Sequence, residues 1–436
     1  MPPSKTLYSS GRLSSRNKLI VDIIDVGQGN CILVSLPNGE FMLVDAGSQS
    51  TSLNGRAYLH AEQYINTVTN GKDIICVVLT HGDDDHTAFI PYITRAQNPT
   101  FVHYGGRIGA YSDAVETWIH SKEKTKKCNV FKYNLQSGYF NPNPDADFGS
   151  DTYDGDAHIS VLAANAGFTP NDHSIVLGIK YGSRLVILPG DAESYTEDMI
   201  ISKIPARILS KCNLLVPGHH GAYESTGRNW ADALDPDLAI ITASGTNKAY
   251  AHPAEATIDL LEEFVVSSAE NHTITYSAGK GKAYELASTK DATAVTATNG
   301  DVRYTTDGDV TQIKCTTLLT FLIERELDEE EERAAASIAM QESEWEAPLF
   351  TLATEKISAA PSASRLSIVT FGGEITTEAW DQLGRTLIPK LKSSDELSVT
   401  LNVSVRSEAD TVQEFQQEIS QTLSDLNLTS KIEIER

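Results

Sequence analysis

The sequence predicts a layered α/β fold, with sheets covered by helices, and three observations carry that expectation. Short apolar runs rich in β-branched residues recur through the first two-thirds of the chain, each bounded by Gly, Pro, Asn or Asp; this is how buried strands and their turns read. Helical stretches lie between those runs, as they do when helices cover the faces of a sheet. Of the 436 residues, 40% are apolar and 22% charged, a globular balance that excludes collagen, coiled-coil and globally disordered classes.

The strand-like runs are 19–26, 31–36, 41–44, 74–79, 174–179, 185–188, 214–216 and 238–242. Pro37, Asn38 and Gly39 supply turn chemistry between two of them and predict a hairpin. Helices are expected over 58–69, 111–124, 193–202 and 255–264, and a long surface loop over 137–157, where Ser, Gly, Asn, Pro and Asp dominate. The domain boundaries drawn from these patterns give residues 1–18 as a flexible N-terminus and 19–289 as the main domain. Residues 290–364 follow as a β-like segment, acidic helix and linker, and residues 365–436 as a small α/β (α+β) module. In that module Leu397, Val399, Leu401, Val403 and Val405 alternate, which gives a strand one buried face.

Charge and histidine are both unevenly placed. The formal net charge is −24, and residues 290–436 hold 27 acids against 13 bases. That balance excludes a protein that coats nucleic acid through a basic face, but not an enzyme that meets phosphate at a metal centre. All eleven histidines lie at or before His272, so histidine chemistry belongs to the main domain. The five cysteines are scattered and form no Cys-x-x-Cys pair, so buried thiols and a reducing cytoplasmic compartment are expected. No apolar stretch approaches the roughly 20 residues of a membrane span, and no apolar core of a signal peptide follows the polar start.

Four segments end an apolar run with metal-ligand residues. The first delivers Asp45 into a glycine turn. In the second, His81-Gly-Asp83-Asp84-Asp85-His86 places five ligand side chains in six residues. Acids this close repel one another unless cations bind between them. The third ends in Gly190-Asp191 and the fourth in His219-His220-Gly221. Imidazole mixed with carboxylate suits hard-to-borderline divalent ions. Taken singly, the bland readings are an ordinary turn, a solvated acidic loop and packing histidines.

In this order the segments resemble the metallo-β-lactamase superfamily, with Asp83 standing where its His-x-His-x-Asp-His motif has a second histidine. Further motifs narrow the match: residues 24–33 around Gly27-Gln28-Gly29-Asn30, Asn171-Asp172-His173-Ser174, and Ala251-His252-Pro253. Together they are similar to the hydrolase domain of the ComEC family, the DNA-uptake channel of competent bacteria, and its soluble relatives. The resemblance spans roughly residues 19–286. It implies a metallo-β-lactamase αβ/βα four-layer sandwich binding two divalent metal ions, zinc or manganese, with magnesium also admitted. It places His81, Asp83 and His173 on the first metal, and Asp85 and His86 on the second. Asp191 bridges, one of His219 and His220 completes the second site, and Asp45 orients a ligand. For His173 a core or surface histidine is the competing reading. His252 is expected to hold phosphate or protonate a leaving group, with a turn histidine as its alternative; Asp85, Asp191 and His252 form the catalytic set.

The implied activity is metal-dependent hydrolysis by a metal-activated water, of a phosphodiester and foremost a nucleic acid, with no membrane partner. Two further readings stay open: a hydrolase of small esters or nucleotides, and a subunit that docks a protein partner through 365–436, as an effector in a bacterial multi-protein defence system or with an inactive hydrolase domain. Lys122, Lys124, Lys126 and Lys127 form a local basic patch, read as either a polymer groove or a solvated helix face.

Overall fold

The computed structural model describes residues 5–14, 17–134, 138–141 and 157–316. Two large sheets dominate. The first has nine strands in the order β1 (Lys5–Ser9), β18 (Thr311–Thr316), β17 (Asp301–Thr306), β2 (Leu19–Ile23), β3 (Cys31–Ser35), β4 (Phe41–Ala46), β5 (Ile74–Leu79), β6 (Phe101–Gly105) and β7 (Asn129–Tyr133). The second has seven: β16 (Thr293–Val295), β13 (Ala239–Ile241), β12 (Leu214–Leu215), β11 (Arg184–Leu188), β10 (Val176–Tyr181), β9 (His158–Ala164) and β8 (Tyr139–Phe140). A separate hairpin joins β14 (Ser267–Ser277) to β15 (Tyr284–Asp291).

Strand periodicity produces the layers. Along β2 to β4, Val21, Ile23, Ile32, Val34, Met42 and Val44 enter one buried cluster with Leu177, Ile179, Val186 and Leu188 of the second sheet. Their neighbours Cys31, Leu33, Phe41 and Leu43 turn the other way, onto Tyr58, Ala61, Tyr64 and Ile65 of the helix α1 (Arg56–Thr69). In the second sheet Leu185 and Ile187 likewise face outward, onto Ile200, Trp230, Leu234, Ile258 and Leu261 of the covering helices. A period of two therefore puts one apolar face on each side of each sheet. The result is the four-layer αβ/βα sandwich.

The main-domain boundaries move in both directions. The segment read as a flexible N-terminus forms β1, which pairs antiparallel with β18. Residues 293–316, set apart from the main domain by their threonine-rich composition, supply β16 to one sheet and β17 and β18 to the other. Threonine is a good strand former on a half-buried face, and composition alone hid that these strands complete the sandwich. Part of the expected loop over 137–157 is strand β8, and residues 142–156 lie outside the described residues. So do residues 317–436, where the acidic helix, linker and small module are expected. No cysteine forms a disulfide among the described residues, and Cys31 and Cys212 are buried. Among the described residues no helix is long and apolar enough to cross a membrane.

One ion pair fastens α1 to the completed sheet. His60 Nε2 lies 2.8 Å from Asp301 Oδ1, and the hydrogen bond to Asp301 raises the His60 pKa above its ordinary value, against partial burial. A histidine with a raised folded pKa stabilises fully below the unfolded value and loses that contribution as pH climbs through the folded one. Replacement of His60 by alanine is therefore expected to cost about 1 kcal/mol at pH 6 and less at pH 9. Urea unfolding at the two pH values checks this, and an equal cost at both would contradict it.

Candidate metal centre

Parallel strands carry the ligand-bearing loops to one edge of the sandwich. β4 and β5 run parallel in the first sheet, and β11, β12 and β13 run parallel in the second. Asp45 and the 81–86 loop sit at the carboxyl ends of β4 and β5; Asp191, His219 and His220 follow β11 and β12. Carboxyl ends of parallel strands are where open α/β sheets bind ligands. The 83–86 turn rests on glycine: a Cβ on Gly47 would come within 2.4 Å of the Asp84 carbonyl oxygen and 2.6 Å of the His86 carbonyl carbon. Four non-glycine residues here adopt left-handed backbone, Asp45 (φ 55°), His219 (48°), His220 (56°) and Ala251 (62°). Such conformations cost of order 1 kcal/mol each and persist where surrounding structure fixes them.

Asp191 is the hub. Its carboxylate lies 3.0 Å from His86 Nε2, 3.8 Å from His220 Nε2, and 3.9 Å from both His81 Nε2 and His219 Nε2. Burial pushes the Asp191 carboxyl up, yet His86, His220 and His219 hold it well below the usual range. Two compact ligand groups result, His81–His86–Asp191 and Asp85–His86–His220, with all ligand atoms in each within 4.8 Å of one another. Asp83 Oδ2 lies 3.7 Å from His81 Nε2, and Asp85 Oδ2 lies 3.5 Å from His220 Nε2. Burial raises the Asp85 carboxyl, but His220 and His86 bring it down to about 2.

The hydrogen bonds behind the imidazoles fix their tautomers. Asp45, fully buried, accepts from the backbone N–H and hydroxyl of Thr80, from Asn30 Nδ2 and from His86 Nδ1 at 2.7 Å. His220 Nδ1 donates to the Thr242 carbonyl at 2.8 Å. For His81, the Thr80 hydroxyl has its proton committed to Asp45 and accepts from Nδ1 at 3.2 Å, and Ser174 Oγ lies 3.3 Å from the same nitrogen. All three rings therefore turn an Nε2 lone pair inward. His86 Nε2 and His220 Nε2 face each other at 3.3 Å. Among the described residues, no hydrogen bond reaches buried His81 Nε2, and Asp191 Oδ1 has only the His86 nitrogen close by. In the neutral rings these converging lone pairs repel, and a proton on His86 or a metal cation relieves that repulsion. Burial lowers the His86 pKa, but Asp191 and Asp45 hold it well above its ordinary value. The potential that attracts a proton there attracts a metal ion equally. The donor set, imidazole nitrogen with carboxylate oxygen, fits divalent zinc or manganese.

His219 differs. The Asn171 amide nitrogen donates to Glu193 Oε1 at 2.8 Å and so also faces His219 Nδ1, at 3.3 Å, as a donor. His219 therefore carries its proton on Nε2 and offers no lone pair to the centre. His252 packs against His219, with ring centroids 4.9 Å apart. Burial, with His219 and His220 nearby, brings its pKa down to about 3, so the ring is neutral at physiological pH. Gln28 Nε2 lies 3.4 Å from His252 Nδ1 while Gln28 Oε1 faces the Ser244 hydroxyl and N–H. That leaves the proton of the neutral His252 ring on Nε2. His173 is in neither ligand group, and its ring lies against Gly106. Lys122 lies over the Trp118 ring and donates to the Gln97 carbonyl. The supporting residues Gln28, Asn30, Thr80, Asn171, Ser174 and Thr242 were assigned no role from the sequence. Only Gln28, Asn30, Asn171 and Ser174 lay inside its motifs.

The metallo-beta-lactamase superfamily model matches residues 24–245, which is 222 of the 436 residues. The chain belongs to the metallo-beta-lactamase superfamily. Within it, the chain is 26% identical over 272 residues to ComE operon protein 3 of Bacillus subtilis (strain 168), covering 59% of this chain and 32% of that protein. It is also 26% identical over 235 residues to Recombination protein 2 of Haemophilus influenzae (strain ATCC 51907 / DSM 11121 / KW20 / Rd), covering 52% and 24%. A third relative is Competence protein ComA of Neisseria gonorrhoeae, at 24% over 241 residues, covering 55% and 29%. The chain thus spans about a third or less of the length of these relatives. The ComEC-type resemblance stands on these matches. Solved structures similar to it include CmlA, a diiron beta-hydroxylase from Streptomyces venezuelae, at 14% identity and TM-score 0.30, covering 54% of this chain and 46% of that one. Another is the metallo-beta-lactamase fold protein YhfI from Bacillus subtilis, at 15% and 0.29, covering 51% and 85%.

Proposed function

We propose that this chain is a binuclear metal-dependent phosphodiesterase whose substrate is a nucleic acid. The observation that carries the reading is Asp191, a buried carboxylate set among four imidazoles beside two ligand groups that share His86. In this reading Asp191 would serve both divalent ions, His81 and Asp83 would hold the first, and Asp85, His86 and His220 would hold the second. Divalent ions held there would supply an activated water and offset negative charge on the phosphodiester oxygens.

The chain's own residues do the rest. Asp45 and the Thr242 carbonyl keep His86 and His220 in the Nδ1–H tautomer, so each ring presents its Nε2 lone pair. Gln28 holds the proton of the neutral His252 ring on Nε2, from which it can hydrogen-bond a phosphate oxygen without giving the proton up. The donor set supports zinc or manganese. Nucleic acid as substrate draws on two relatives named for recombination and competence, over a quarter to a third of their length. The test is chelator-treated protein given manganese or zinc and presented with bis(p-nitrophenyl) phosphate, single-stranded DNA, duplex DNA and RNA. Cleavage of the small diester and of at least one polymer is expected. Metal bound with no cleavage of any of them would reject the proposal.

A further inference from the structure

One buried carboxylate near the centre has no part in the chemistry above. The helix Ser194–Lys203 starts just after Asp191, and the loop that leaves His220 leads into the helix Arg228–Leu234. Two sets of hydrogen bonds tie that loop to the first turns of the helix Ser194–Lys203. In one, the Ser194 N–H and hydroxyl both donate to the Glu224 carbonyl, at 3.0 and 2.8 Å. In the other, Glu197 accepts the backbone N–H of Thr226 on Oε1 at 2.7 Å and that of Gly227 on Oε2 at 2.9 Å. Glu197 itself is only 1% exposed.

The loop is strained and is held at several points. His219, His220 and Thr226 all adopt left-handed backbone, with Thr226 at φ 54°; a β-branched residue stays there only when its surroundings hold it. The Gly190 carbonyl accepts from the His219 N–H, the Thr242 carbonyl accepts from the His220 ring, and Glu197 grips the far end. At Gly227 the backbone comes close to the helix, since a Cβ there would stand 3.3 Å from Ser194 Oγ and 3.5 Å from Glu197 Oε2.

A buried carboxylate is a costly way to fill space. Burial raises the Glu197 carboxyl to about 8, against the two N–H donors that lower it; Asp198 on its own helix and Asp172 on the Asn171–His173 turn add to the rise. Arg228, the cation that opens the facing helix, is engaged by Glu263. What an ionised carboxylate provides, and an amide or an apolar group does not, is two acceptor oxygens side by side for two successive N–H groups. We propose that Glu197 is a positioning residue of the metal centre. By gripping Thr226 and Gly227 it holds the strained loop behind His220 against the helix that follows Asp191, and so fixes how these two groups face each other. This inference rests on the reading of Asp191 and His220 as metal ligands.

The test is zinc competition against a chromophoric chelator, run on wild type and Glu197→Gln at pH 6.5 and pH 9. The amide keeps one acceptor and turns N–H₂ toward the other backbone N–H. At pH 9 the wild-type carboxylate is ionised and accepts both, so the variant should bind the His220-dependent zinc about tenfold less tightly, as when one buried hydrogen bond is left unmade. At pH 6.5 the wild-type group is protonated and also accepts only one, so the ratio should shrink to about threefold or less. Every other titrating group is common to both proteins, so a role in packing alone gives one ratio at both pH values. Adding Thr226→Gly, which allows the left-handed backbone without strain, should bring the variant back to within about threefold of the wild type. Hydrogen exchange of the metal-free proteins gives a readout without zinc: the amides of residues 226 and 227 should exchange at least tenfold faster in Glu197→Gln.

An equal ratio at both pH values, or equal protection of those amides, overturns the inference. So does a Glu197→Gln protein that does not fold and is not restored by Thr226→Gly, since Glu197 would then support the whole domain. Zinc binding that depends on His220 but not on Glu197 rejects this inference alone. Binding indifferent to His220→Ala rejects the metal assignment and this inference with it.

Discussion

Asp191→Asn should leave a folded protein that has lost its activity. The amide keeps the shape but removes the negative charge that faces His81, His86, His219 and His220 at 3.0 to 3.9 Å. It also puts an N–H₂ group where one of two anionic oxygens stood, so one of the two metal contacts becomes a donor pointed at a cation. A loss on the order of a thousandfold in kcat/KM is expected for the small diester, corresponding to about 4 kcal/mol of transition-state stabilisation. Bound metal should fall from two equivalents to one or fewer, measured by elemental analysis of protein re-metallated and desalted. A variant that keeps both equivalents and runs within tenfold of the wild type would remove Asp191 from the bridging role.

The second large effect separates two adjacent histidines. Both follow β12, both have left-handed backbone, and the sequence left open which one binds metal. The hydrogen bonds distinguish them: the Thr242 carbonyl takes the Nδ1 proton of His220, while Asn171 donates to Nδ1 of His219. His220→Ala should therefore weaken binding at the second metal site on the order of a hundredfold, with turnover falling accordingly, since tenfold in affinity is about 1.4 kcal/mol. His219→Ala removes no lone pair from the centre and should change metal affinity less than tenfold. Competition against a chromophoric chelator measures both. The reverse ranking would mean that the tautomers are the other way round.

These effects show what the sequence could and could not reveal. The ligand loops were legible because strand ends that concentrate histidine and aspartate are uncommon and strained. Each of the eight strand-like runs overlaps a strand, and each of the four expected helices overlaps a helix. The supporting residues were not legible. Thr80, Thr242 and Ser174 are ordinary polar residues whose importance comes from which imidazole the tertiary fold sets against them. Gln28 and Asn30 lay in a recognisable Gly-Gln-Gly-Asn turn, but local sequence could not show that one would reach His252 and the other Asp45, residues 224 and 15 positions away. Strand β1 fell in the stretch read as flexible, and β16 to β18 in a segment read as β-like but set outside the main domain. β1 and β17 are placed by pairing across nearly 300 residues (Ser9 with Gln312, Thr305 with Ile20), and β16 by pairing with distant β13 (Ala239 with Thr293), which neither composition nor local periodicity encodes.

The binuclear centre itself is tested most directly by titrating manganese into chelator-stripped wild-type protein while following hydrolysis of bis(p-nitrophenyl) phosphate. If Asp191 joins two ions into one catalytic unit, turnover stays low through the first equivalent, rises with the second and levels off at two per chain. Full turnover at a single equivalent, or two equivalents bound with no turnover, would contradict it.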